Sequence, residues 1–184
     1  MAKNIYNGFG LNMAFNSGAC TAAGAAATLT VVTAVDAIVK GKWATQVSAA
    51  AKTLAFVTAQ NVPADSTTGY ATASAPVLYG GASTNANAPA DNEGQAIVLV
   101  HCTDAAGAVK TVAGPVVQLD ESGDFLKAAS FPAIPDTLTP FCYHVVEAGK
   151  TSGDVTIGAT NWNATGVVST IHNVAVLPQR PVTA

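Results

Sequence analysis

The chain has 184 residues, a formal net charge of −3, 49% hydrophobic residues and only 10% charged ones. That length allows one domain of about 100–200 residues, or one domain with an arm, and a core that needs no disulfide or metal to hold it. The single arginine, Arg180, and the lack of any basic run exclude the charged stripe of a nucleic-acid binder, and no apolar stretch of about 18 residues is available to span a membrane.

The polar remainder is Thr, Ser, Asn and Gly rather than Lys and Glu. Neutral hydroxyl and amide groups lose less than charges do when water is stripped from them, so this composition suits close contact with another protein. Residues 1–7 (MAKNIYN) lack the apolar run of a signal peptide, which predicts synthesis in the cytosol without the usual export route. Cys20, Cys102 and Cys142 are odd in number and widely spaced, so free thiols are expected.

Residues 1–27 are rich in Gly, Asn and Ala, with no clear period. A disordered tail and an extended arm both fit. Phe9, Leu11, Met13 and Phe15 alternate with smaller or polar residues, which favours an arm lying against a neighbour, with these four as its interface residues. On that reading residues 2–20 are dispensable for folding, and a single β-rich domain occupies residues 28–184.

From residue 28 the pattern turns strand-like. Residues 28–35 (TLTVVTAV) are dense in β-branched side chains, which fit a pleated surface. Residues 37–39 follow, then Lys40-Gly41-Lys42 as a turn and residues 43–47 as the returning strand. Residues 48–56 suit a short helix or a loop. Val62-Pro63-Ala64-Asp65-Ser66 breaks the pattern before a strand over residues 69–75, and residues 80–93 read as a loop. Residues 95–103 predict a strand, with Ile97-Val98-Leu99-Val100 as a run buried on both faces. Asp104-Ala105-Ala106-Gly107 turns it into a hairpin partner over residues 108–112, and residues 116–119 form another short strand. Residues 120–129 suit one or two helical turns before a proline-rich connection. Strands follow over residues 141–146, 154–157 and 167–176. Turn signals every 8–12 residues predict a mainly β fold, an antiparallel β-sandwich or barrel-like domain with at most short helices.

No stretch forms a catalytic motif. Gly149-Lys150-Thr151 ends like a phosphate loop, but His144 stands where that loop needs its first glycine. Gly8 and Gly10 follow no strand and lack the third glycine of a dinucleotide site. Cys142 and His144, two apart, would share a strand face and could offer two ligands to a metal. Adjacent His101 and Cys102 would point to opposite faces, so neither a metal nor another cofactor is expected. The acidic run from Asp120 to Asp124 lacks the ligand spacing of a calcium loop and reads as a solvated turn. His172 is expected to face solvent or an interface. Trp43, Tyr70 and Trp162 could stack on sugars or anchor a core.

In order along the chain, Lys40-Gly41-Lys42, Val62-Pro63-Ala64-Asp65-Ser66, Asp104-Ala105-Ala106-Gly107, Phe131-Pro132-Ala133-Ile134-Pro135, Gly158-Ala159-Thr160 and the close from Asn173 to Pro178 resemble the plan of tailed-bacteriophage virion structural proteins, in particular capsid decoration (cement) or head proteins. The likeness covers roughly residues 28–178, with a longer insertion at residues 77–93. It implies a head or virion component, without separating capsid from fibre or tail. The leading expectation is a non-enzymatic decoration protein on the capsid surface that binds the major capsid protein and steadies capsomer contacts. A homo-oligomer is expected, a trimer in preference, because association would cover exposed sheet edges. The alternative is a fibre or tail component that binds a host receptor or carbohydrate through Trp43 or Trp162 and the loop at residues 80–93.

Overall fold

The computed structural model describes residues 11–22, 24, 26–57, 61–62, 71–72 and 75–182. Its strands in chain order are β1 (Met13–Ala14), β2 (Thr21–Ala22), β3 (Thr28–Val31), β4 (Ala37–Val39), β5 (Lys42–Trp43), β6 (Ala50–Thr53), β7 (Asn61–Val62) and β8 (Ala71–Thr72). They continue as β9 (Val77–Tyr79), β10 (Gln95–Thr103), β11 (Val109–Ala113), β12 (Val117–Gln118), β13 (Thr139–Ala148), β14 (Asp154–Thr156) and β15 (Val167–His172). The described residues hold no helix, and every strand pairing is antiparallel. The fold is mainly β and sandwich-like.

The central sheet runs β11-β10-β13-β15, with β12 beside the first residues of β10. All nine residues of β10 are buried, because apolar side chains meet a core on each face. Ile97 and Leu99 pack with Phe141, Cys142 and Val146 on one side. Val98, Val100 and Cys102 pack with Tyr143 and Val145 on the other. Residues packed on the second face include the loop side chains Phe131, Ile134, Val174 and Leu177. Pro140 has no N–H for the ladder, and the β10–β13 register slips by one residue between His101 and Cys102, where Pro140 pairs.

Turn chemistry fixes the hairpins. Asp104 Oδ1 accepts the N–H groups of Ala106 and Ala108, both at 2.9 Å, and closes the β10–β11 turn. Lys40 and Gly41 both adopt positive φ, 51° and 74°, as a two-residue hairpin between β4 and β5 requires.

Several expectations are corrected. Residues 50–53 extend as β6 and pair with β3, so pairing overrides the helical preference of alanine. Residues 120–129 hold no helix: Asp120 Oδ1 accepts the N–H groups of Ser122 and Asp124 at 2.8 and 2.9 Å, and Leu119 bridges to Phe125. The strand expected over residues 28–35 ends at Val31, with Val35 in an isolated bridge to Val47, and the last strand stops at His172. Residues 13–22 add β1 and β2 to the domain's own sheets and bury Ala14 and Cys20 in its core. Removing residues 2–20 would therefore strip out core contacts rather than spare the fold. Phe9, Tyr70 and the Pro63–Ser66 part of the break lie outside the described residues.

Candidate interaction face

Strands β1, β4 and β5 form a small sheet in which Met13, Ile38 and Trp43 stand in one row. Side chains alternate along a strand, so the two faces separate by parity. Ala14 and Ala37 join the main core, and Met13, Phe15 and Ile38 take the opposite face. Phe15 stacks on Trp43 with ring centroids 4.9 Å apart and planes 20° from parallel. Both rings remain open to solvent, at 48% and 67% exposure, and Leu11, of the same parity as Met13, is 39% exposed. The row is held from below: Asn12 Oδ1 accepts the Lys40 N–H at 2.6 Å, and Asn12 Nδ2 donates to the carbonyls of Asp136 and Leu138 at 2.8 and 3.0 Å. A polar border lies opposite Phe15, where its N–H donates to the Asp36 carbonyl at 2.9 Å and Gln46 Nε2 donates to Asp36 Oδ1 at 2.9 Å. An exposed aromatic pair on a braced sheet loses little entropy when a partner covers it, and such residues dominate contact energies.

The two tryptophans separate. Trp162 is 4% exposed, its Nε1 donates to the Thr28 carbonyl at 3.0 Å, and its ring meets His144 edge-on at 4.7 Å. It is a core residue and offers no platform for a sugar. The loop at residues 80–93 is tied elsewhere, to β9 and β14. Asn92 Nδ2 donates to the Tyr79 and Gly80 carbonyls at 2.9 and 2.7 Å, and Ser83 and Asn85 hydrogen-bond the Asp154 carboxylate. A side chain at Gly80 would collide with the backbone of Ser152. Trp43 and this loop thus belong to different sheets.

Cys142 and His144 share one face of β13, and His101 and Cys102 face opposite cores. All three cysteines are free and buried. Burial raises the Cys102 and Cys142 thiols well above their ordinary value, which disfavours the nucleophilic thiolate. Among the described residues no group of three or more His, Cys, Asp or Glu side chains is placed to hold a metal ion. His172, expected toward solvent or an interface, stacks on Tyr143 at 4.5 Å with planes 14° apart.

Of the four residues picked from the sequence, the structure puts Leu11, Met13 and Phe15 on one face. Trp43, for which the sequence leaves sugar stacking and anchoring both open, belongs with them. The signal was the Lys40-Gly41 turn: a two-residue hairpin returns Trp43 beside Ile38, but nothing local pairs β1 with β4. Comparison with family models, with curated proteins and with solved structures gives no match.

Proposed function

We propose that this chain is a structural virion protein that acts by binding, a capsid decoration component whose β1-β4-β5 face seats on the major capsid protein and steadies capsomer contacts. The observation that carries this reading is the solvent-open row of Leu11, Phe15 and Trp43 on a weakly charged all-β chain. The order of turn motifs, which resembles that of head proteins, supports it further. Covering two aromatic anchors contributes about 2 kcal/mol or more each. The low charge keeps desolvation of the surrounding surface inexpensive. Repetition by symmetry, with the chain as a homo-oligomer, would multiply that modest contact over the shell.

The test is binding of purified chain to assembled heads that lack it. Phe15→Ser with Trp43→Ala should lower affinity by about 100-fold or more while circular dichroism stays that of the parent. Unchanged occupancy by the doubly substituted chain contradicts the reading. A second reading, a fibre or tail component that binds carbohydrate, is favoured by the solvent-open ring of Trp43. Glycan-array binding that disappears with Trp43→Ala, together with no affinity for heads, would replace the first reading with this one.

A further inference from the structure

The chain has three histidines, and the central sheet gathers them. His101 on β10 and His144 on β13 face the same core, with ring centroids 6.1 Å apart and exposures of 0% and 1%. β11 contributes Thr111, whose Oγ1 lies 3.2 Å from His101 Nδ1. β15 contributes Ser169, whose Oγ lies 2.7 Å from His144 Nε2. His101 Nε2 is buried with no hydrogen-bond partner among the described residues. Among the described residues, the other ionisable groups on this side of the sheet are thiols: Cys142, opposite His101, and Cys20 from the segment before β2, which packs in the same core. His172, on the reverse face against Tyr143, adds a further positive influence on His144. No carboxylate acts on either buried ring.

Two neutral imidazoles fit such a place and two imidazolium ions do not. A proton on either ring would sit in a dry core with no counter-charge, 6.1 Å from a second basic ring. Among the described residues, polar contacts tie the layer over the pair to the rest of the domain, one of them from the Asn163 N–H to the Gly24 carbonyl at 2.9 Å. Trp162 Nε1 donates to the Thr28 carbonyl of β3, and the Asn173 side chain clasps the Cys20 backbone in both directions, at 2.6 and 3.0 Å.

We infer that the His101–His144 pair is an acid-sensitive lock: it keeps the layer carrying Cys20, β2 and β3 closed over the central sheet while both rings are neutral, and it drives that layer open when the rings take up protons. Burial supports this by holding each ring at about 3, against an ordinary value of 6.5. The open chain then binds protons from pH 6.5 downward while the closed chain does not do so until about pH 3. The histidine contribution to stability is therefore complete above pH 6.5 and is lost progressively as pH falls toward 3. With two protons taken up, each unit of pH below about 6 lowers the folding equilibrium constant by about 100-fold, and by about ten-fold with one. This inference is independent of the assembly role.

The test measures urea unfolding of the full chain between pH 7 and 5, above the range near pH 4 where most carboxylates titrate. The parent should destabilise on acidification with a proton uptake approaching two, His101→Leu and His144→Leu with one fewer each, and His172→Gln with a smaller reduction than either, since burial lowers His172 and His172 lowers His144. Equal acid loss in the parent and in the double His101→Leu, His144→Leu chain would overturn the lock, as would no loss at all in the parent. Should the substituted chains fail to fold, nuclear magnetic resonance titration of the parent still decides. Two imidazole C–H signals must stay unshifted from pH 7 to 5 while the third moves, and a buried ring that titrates near 6.5 in the folded chain contradicts the lock.

Discussion

Trp43 and Trp162 show how far two copies of one residue type diverge. Trp43 ends a two-residue strand with its ring in solvent, so Trp43→Ala should change the free energy of unfolding by no more than about 0.5–1 kcal/mol. Trp162→Phe keeps an aromatic ring but leaves the Thr28 carbonyl without its donor, which costs about 1–3 kcal/mol. Asn173→Ala removes both contacts to the Cys20 backbone and should cost about 2 kcal/mol. Urea unfolding of the three variants side by side checks the ranking. A large loss for Trp43→Ala, or none for Asn173→Ala, would contradict the assignment of one to the surface and the other to the clasp between layers. No sequence rule separates these tryptophans, because burial depends on which distant carbonyl an indole N–H reaches.

At the scale of elements, β10 and the turn that follows it are legible from local sequence. A strand over residues 95–103, buried on both faces at residues 97–100, is legible in the sequence; β10 has those bounds, and its burial extends to all nine residues. The Asp104 turn was also legible, since an aspartate with a glycine three residues on is a local signal. Asp104→Ala removes two acceptor contacts and should lower the denaturation midpoint by an amount corresponding to about 1 kcal/mol. An unchanged midpoint would show that the hairpin is held by strand pairing alone. Residues 50–53 were ambiguous because alanine carries no pattern of its own, and only pairing with β3 makes them a strand. The segment before residue 28 was expected to need a neighbour, but Ala14 and Cys20 find their core within the same chain. That closure joins residues more than a hundred positions apart, as in the contact of Cys20 with Asn173, and no window of sequence reports it.

Across the whole molecule, the mainly β class followed from period and turn spacing, whereas the candidate face did not. Leu11, Met13 and Phe15 were visible through alternation, but Trp43 joins them only through the pairing of β1 with β4 and β4 with β5. The buried histidine pair was hidden for the same reason: His101 and His144 meet across strands 43 positions apart in the sequence. The proposed role rests on a weakly charged chain with a braced, solvent-open aromatic pair, a surface that suits burial against another protein. That claim is tested most directly by an electron-microscopy map of purified virus particles that carry this chain. The account predicts density for it on the icosahedral shell, repeated by the shell symmetry, with Phe15 and Trp43 turned into the contact with the capsid. Density confined to a fibre or tail, or a shell-bound chain whose aromatic row points into solvent, would contradict it.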